Sequence, residues 1–370
     1  MIKKLSIFMV AFSFVSCGET EVTSEGGKND KEVKQETSEK TDDKSHSYFI
    51  SSNNIKSITA TSFKYSFGKS EENGTKLYES IYNTEGQLVD SLVYVNNKYI
   101  GKQHKEYAPS GKLISNVLMD TNGYKIQEMT RVLNEFDEEV QFTLLIDGRQ
   151  SYAQDKQYDD HQNLVKMVEY DSTGSVVVVS EFEYNEKNKL ITKTEKAANG
   201  DIIVRQILGY DEDGNNSTQT IYNYKGEIVE KNFLKAYDEN GNCTRIEKFN
   251  GKDSLLSIYE YGYTELGKEK LARIKNGKRK TISETVSKFD SKGNKISFQI
   301  SEPGRGMMGK DLIRYNKMNK EYEVIVVGPD NTQISRKYTS YNDEGLPSEI
   351  IRYNAVDEPI SRLVYEYTFR

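Results

Sequence analysis

The 370-residue chain has no tryptophan, five prolines, two cysteines and three histidines. Each scarcity excludes something. Cys17 and Cys243 allow at most one disulfide, and if Cys17 is modified then Cys243 has no partner in the chain. His46, His104 and His161 lie far from one another and from both cysteines, so no zinc ligand set of familiar spacing can be drawn. Residues 302–310, "EPGRGMMGK", lack the Gly-Lys-Ser/Thr ending of a phosphate loop. A net charge of −6 argues against a nucleic-acid partner. Hydrophobic residues make up only 35%, few for a single compact core of this length. No cofactor is implied.

What is plentiful is tyrosine, 26 residues, with 14 phenylalanines. Amphipathic rings suit half-wet surfaces, so a thin or elongated body is expected. Aromatics also recur with Asn or Asp next and Gly four positions on. Examples are Tyr82-Asn-Thr-Glu-Gly86, Tyr170-Asp-Ser-Thr-Gly174, Tyr210-Asp-Glu-Asp-Gly214, Tyr237-Asp-Glu-Asn-Gly241, Phe289-Asp-Ser-Lys-Gly293 and Tyr341-Asn-Asp-Glu-Gly345. Aromatic positions 158, 184, 210, 237, 263, 289, 315 and 341 set a period of 26, with one step of 27. A second series of turns lies halfway between and includes Tyr170, Tyr222-Asn-Tyr-Lys-Gly226, Asn250-Gly251, Asn276-Gly277, Pro303-Gly304, Gly328-Pro329-Asp330 and Tyr353-Asn354. The intervening segments, such as "TQTIYNY" and "EYEVIVV", alternate with period two and are rich in β-branched and aromatic residues. Each unit is therefore a β-hairpin, and Asn276-Gly277 is a strong two-residue hairpin signal. The spacing slips between 112 and 157.

The fold expected is all-β: a repetitive antiparallel hairpin meander forming an elongated, twisted or curled sheet. Some twenty strands at about 4.8 Å each would give an open sheet roughly 100 Å wide. The Tyr-Asp-x-x-Gly motifs resemble the YD repeats of the Rhs family of bacterial surface proteins and of shorter YD-like envelope lipoproteins. The resemblance covers about residues 80–370. It implies a β-strand shell or sheet, and Rhs proteins wind such strands into a hollow shell around a toxin segment.

The N-terminus bears on location. Met1-Ile2-Lys3-Lys4 is basic, Leu5 to Val15 form a short apolar run, and Ser16-Cys17-Gly18 follow. The run is too short for a membrane-spanning helix and has the plan of an export signal. A cysteine among small residues at that point resembles the lipobox of bacterial lipoproteins, with Phe14 where leucine is usual. The resemblance implies cleavage before Cys17 and lipid attachment to it. Residues 18–47 carry nine acidic residues against five lysines and no aromatic before position 48, a composition that stays disordered. The expected division is a signal peptide over 1–16, a lipidated cysteine and acidic tether over 17–47, and a repeat domain over 48–370.

Candidate sites are few. Asp238-Glu239-Asn240-Gly241 looks like the start of a calcium loop, but glycine falls at the fourth position instead of the sixth, so a turn explains it better. Lys268, Lys270, Arg273, Lys275, Lys278, Arg279 and Lys280 crowd thirteen residues and form a possible anionic-surface contact. The bland alternative is a solvated hairpin tip whose lysines discourage edge pairing. No metal or catalytic site is assigned. The expected function is a non-catalytic scaffold or binding surface, anchored by lipid at the bacterial outer membrane on its periplasmic face or at the cell surface. Possible partners are a glycan or an envelope protein. A glycan-acting or glycan-binding protein and an Rhs-type toxin-system component are the alternatives.

Overall fold

The computed structural model of the protein describes residues 46–66 and 68–370. The signal segment, Cys17 and the acidic run lie outside these residues. A short helix, α1 (46–52), precedes the strands. Next come β1 (Ile55–Ser66), β2 (Lys69–Ser70), β3 (Thr75–Tyr82), β4 (Leu88–Val95), β5 (Lys98–Tyr107) and β6 (Leu113–Asp120). They are followed by β7 (Lys125–Leu133), β8 (Glu139–Ile146), β9 (Arg149–Tyr158), β10 (Leu164–Tyr170), β11 (Val176–Tyr184) and β12 (Leu190–Ala197). The next six are β13 (Ile202–Tyr210), β14 (Asn216–Asn223), β15 (Ile228–Tyr237), β16 (Cys243–Asn250), β17 (Leu255–Tyr263) and β18 (Glu269–Asn276). The chain ends with β19 (Thr281–Phe289), β20 (Lys295–Glu302), β21 (Gly306–Tyr315), β22 (Glu321–Val327), β23 (Gln333–Tyr341), β24 (Pro347–Tyr353) and β25 (Pro359–Phe369).

From β3 onward every strand pairs antiparallel with its neighbour in sequence. The meander does not stay open. β1 pairs with β3 on one side and with β25 on the other, from Ile55↔Phe369 to Lys64↔Ser361, closing a ring of 24 strands. The two-residue β2 adds only to the end of β1. Closure satisfies the strand-edge N–H and C=O groups that an open sheet would leave unpaired.

The hairpins alternate between two rims. Turns leaving β3, β5, β7 and each later odd strand make one rim, and turns leaving the even strands make the other. At the first rim the Tyr-Asp-x-x-Gly motif works as a turn. Asp238 Oδ1 accepts the N–H groups of Asn240 (3.0 Å) and Asn242 (2.9 Å), while the Gly241 N–H donates to the Asp238 carbonyl at 3.0 Å. Gly241 has φ +77°, the left-handed conformation that glycine adopts without strain. The side-chain amide of Asn242, with these N–H groups, holds the Asp238 carboxyl below its usual range.

At this rim the motif's tyrosine stands at or near the end of an odd strand and reaches back across a hairpin, whereas Tyr170 ends the even strand β10 at the opposite rim and donates to Asp155 Oδ2 at 2.9 Å. Tyr184 Oη donates to the Leu164 carbonyl (2.9 Å), Tyr210 to Leu190 (2.7 Å), Tyr263 to Cys243 (3.2 Å) and Tyr367 to Pro347 (2.6 Å). Tyr107, Tyr158, Tyr237, Tyr315 and Tyr341 repeat the bond. The acceptor is always the first residue of the preceding even strand. The spacing slip at 112–157 is explained by Leu133, which occupies the tyrosine position of β7. There Arg131 Nη1 supplies the donor to Leu113, at 3.3 Å.

Side chains also lace neighbouring turns of this rim together. Gln87 Nε2 donates to the Gly111 carbonyl (3.1 Å), Asn294 Nδ2 to Asn319 Oδ1 (2.8 Å), and Lys189 Nζ to Gly214. The helix and the chain end finish the rim. Ile50 and Leu346 are fully buried with Ile55 and Tyr82, flanked by Phe49, Ile58, Leu88 and Tyr367. Arg370 donates from its backbone to the Asn54 carbonyl (2.9 Å) and from its guanidinium to the carbonyls of Tyr82 (2.9 Å) and Asn83. We call this the tyrosine rim.

One sequence expectation is corrected. Asn276-Gly277 is not a two-residue turn. The loop is the same five-residue motif, with Asn276 N–H donating to Lys280 and Arg279 N–H donating to Asn276, and Arg279 takes the left-handed position at φ +62°. Gly277 serves a close approach instead: a Cβ there would stand 2.2 Å from the Leu255 carbonyl oxygen.

Candidate functional site

The two rims differ in what they expose. Near the rim opposite the tyrosines, Val177, Ile203, Val229, Leu256, Ile282, Met308, Ile334 and Ile360 are 37–53% exposed. They recur every 26 or 27 residues, one in each odd strand from β11 to β25. Each is the extra residue where the register shifts after an opposite-rim turn, as between Glu169↔Val178 and Tyr170↔Val176. Most precede the strand's closing aromatic by seven residues, an odd number that puts them on the face opposite the tyrosines. β-Bulges re-aim side chains, and here they hold a row of aliphatic groups toward solvent about 10 Å apart. Nothing in the composition announced this row. Its signal was the 26-residue spacing itself, applied to aliphatic positions instead of aromatic ones.

On the same face, below the row, runs a ladder of ion pairs. Glu260 accepts from Lys275 (2.7 Å) and Arg245 (3.0 Å) and lies 3.5 Å from Arg273, which in turn reaches Glu284 at 2.6 Å. The Lys275 bond, reinforced by both guanidinium groups, keeps the Glu260 carboxyl below its usual range, and Glu284 raises Arg273. Similar pairs join Arg362 to Glu349 and Arg336 to Glu323.

These contacts separate the seven-residue basic cluster into parts. Lys268 is at the tyrosine rim, donating to the Gly293 carbonyl at 2.5 Å and lying over the Phe289 ring. Lys270 is the exposed extra residue at the start of β18. Arg273 and Lys275 belong to the ion-pair ladder. Lys278, Arg279 and Lys280 stand together at the opposite rim, exposed, on the β18–β19 turn.

That turn borders a cleft of about 580 Å³ between it and the β20–β21 turn. Arg273, Lys280, Thr281 and Glu284 form one wall, and Ser301, Glu302, Pro303, Gly304, Gly306 and Met307 the other. The basic segment and the Gly-rich "EPGRG" turn, 25 residues apart in sequence, thus line one depression. Other clusters are less developed. His104 Nδ1 meets Asp90 Oδ1 at 2.8 Å, with Glu106 3.7 Å from Nε2. Cys243 is half-buried at the start of β16. Among the described residues no group of three His, Cys, Asp or Glu side chains is placed to hold a metal ion.

No protein-family model matches the chain, and no curated protein matches it. Solved structures do resemble it. One is the Photorhabdus luminescens Tc holotoxin pore with a TccC3 mutation: TM-score 0.31, 12% identity, covering 78% of this chain and 19% of that one. The chain thus spans about a fifth of the Tc chain it matches. A porin-like protein from Bacteroides uniformis gives TM-score 0.19 at 11% identity, covering 85% of this chain and 97% of its own. One from Bacteroides vulgatus gives 0.22 at 8%, covering 85% and 98%.

Proposed function

We propose that this chain is an exported, lipid-anchored protein of the bacterial envelope whose barrel is a non-catalytic scaffold that binds through the rim opposite the tyrosines. The observation that carries the reading is the asymmetry of the rims. Both are tied turn to turn in places, the opposite rim by Gln150 Nε2 to the Asp171 carbonyl (2.9 Å) and Gln333 Nε2 to the Asn354 carbonyl (3.2 Å), and the tyrosine rim is also buttressed by α1 and Arg370. The opposite rim presents a periodic aliphatic row and three adjacent cations. Here the exposed aliphatic groups repeat on alternate strands, and exposed apolar surface rimmed by polar residues is a common mark of an interaction surface.

The wall favours anchoring by a tether over spanning by strands. Lipid-facing barrel walls carry an apolar band about 25 Å tall. Here ionised groups stand within the strands on both faces: Lys156, paired with Glu139 at the start of β8, and Lys248 with Glu230 on the tyrosine face, Glu260 and Arg273 on the other. The lipobox-like Ser16-Cys17-Gly18 supplies the anchor in this reading, and the 30 residues after it would reach roughly 30 Å as a random coil. Export and anchoring are tested by expressing wild type and Cys17→Ser. Loss of lipid labelling and of membrane fractionation is expected, and an unchanged distribution would overturn the anchor. The binding rim is tested by retention of the protein on isolated envelopes. Ile282→Ser, Ile334→Ser and Ile360→Ser together should reduce it, whereas Lys187→Ala at the tyrosine rim should not.

A further inference from the structure

We infer that the cleft between the β18–β19 and β20–β21 turns is a binding site for an acidic polysaccharide, its anionic groups met by Lys280 in the cleft wall and by Lys278 and Arg279, which stand on the same turn outside the lining. This deepens the proposed binding rim and rests on it.

Ring closure removes the simplest alternative for these cations. Lysines at a hairpin commonly protect a sheet edge from pairing. Here β18 is paired with β17 and β19, and β19 with β20, so there is no edge to protect. Neighbouring tips on the same rim balance each cation with an acid, as in Tyr224-Lys225-Gly226-Glu227 and Gly251-Lys252-Asp253-Ser254, whereas Gly277-Lys278-Arg279-Lys280 has none. The turn fixes the backbone from which the three side chains project, because Asn276 Oδ1 accepts the backbone N–H groups of Lys278 (3.0 Å) and Lys280 (3.1 Å).

The cleft itself selects the class of ligand. Its volume lies within the usual range for small-ligand sites, about 300–1,000 Å³. Arg273 is a rigid donor, clamped by Glu284 at 2.6 Å. Ser301 and Thr281 offer hydroxyls, Glu284 and Glu302 offer the carboxylate oxygens left over from their pairs with Arg273 (2.6 Å) and Arg305 (3.3 Å), and Pro303 and Met307 supply carbon surface. Sugar hydroxyls both donate and accept, so a wall of fixed donors and acceptors beside apolar surface suits them. A bare anion would use only the cations, and a flat lipid surface would leave the cleft unfilled.

The test uses the full chain in detergent, probed by calorimetry with oligogalacturonate, a carboxylated oligosaccharide, and with maltohexaose as the neutral control. The expected result is binding of oligogalacturonate at least tenfold tighter than maltohexaose. A tenfold or greater loss is expected in Lys278→Ala/Arg279→Ala/Lys280→Ala, with an unchanged melting temperature. Met307→Ser should weaken binding without altering charge, and Lys187→Ala should leave it unaltered. No binding, equal binding of the neutral sugar, or indifference to the triple variant would overturn the proposal. Preference for anionic over neutral phospholipid vesicles without oligogalacturonate binding would overturn it in favour of a lipid surface. If envelope retention still depends on Ile282, Ile334 and Ile360, the binding rim stands and only the saccharide assignment falls.

Discussion

The Tyr210 hydroxyl donates to the Leu190 carbonyl at 2.7 Å, tying the end of β13 to the start of β12 across the hairpin between them. Both groups are half-buried, so each bond is expected to contribute about 0.5–1.5 kcal/mol, and the loss of its donor leaves a carbonyl unpaired. Tyr210→Phe should lower the unfolding free energy by about 1 kcal/mol in denaturant titration. The same substitution at exposed Tyr224 should have little effect.

β19 provides the inverse experiment. It ends in Phe289 where most other odd strands carry tyrosine, and the equivalent acceptor, Glu269, begins β18. Phe289→Tyr should add one bond and raise stability by up to about 1 kcal/mol. A loss of stability would show that the ring needs its contact with Lys268 more than a hydroxyl.

The tyrosine ladder also sets alkaline behaviour. Burial pushes the hydroxyls of Tyr237 and Tyr263 up to about 12, from an ordinary value near 10. A folded-state value above the unfolded one means that stability is fully present below pH 10 and is lost as pH rises through 12. Absorbance titration at the phenolate band should show a late group of tyrosines ionising with the loss of β circular dichroism.

At the tyrosine rim, Ile50 and Leu346 are fully buried against each other's cluster. Leu346→Ala should cost about 2–5 kcal/mol through lost burial and a residual cavity. Hydrogen exchange should then speed up in α1, β1 and β25 before the middle of the ring.

Much of this architecture was legible in the sequence because it is local. The period-two strands, the Asp/Asn–Gly turns and the 26-residue tyrosine spacing each involve residues within one or two hairpins. Closure was not, because it joins residues as distant as Ser57 and Thr368, and no local pattern distinguishes a curled sheet from a ring. Leu133 hid one unit of the repeat by replacing its tyrosine, with Arg131 taking over the bond. Asn276-Gly277 misled because glycine there avoids a neighbouring carbonyl, while the left-handed residue is Arg279. The basic cluster looked like one patch in sequence, but strand β18 carries its two ends to opposite rims. The aliphatic row is not legible in sequence because its exposure is a property of the bulges.

The binding rim depends on the ring being closed, with two distinct rims. Ser57 Oγ and Thr368 Oγ1 lie 2.7 Å apart on paired strands, close enough for a disulfide between their β-carbons. The decisive measurement is therefore oxidation of Ser57→Cys/Thr368→Cys in a Cys243→Ser background, followed by peptide mapping and a melting curve. Closure predicts an intramolecular 57–368 bridge in monomeric protein, with unchanged β circular dichroism and a raised melting temperature. Free thiols, or bridges formed only between molecules, would contradict it.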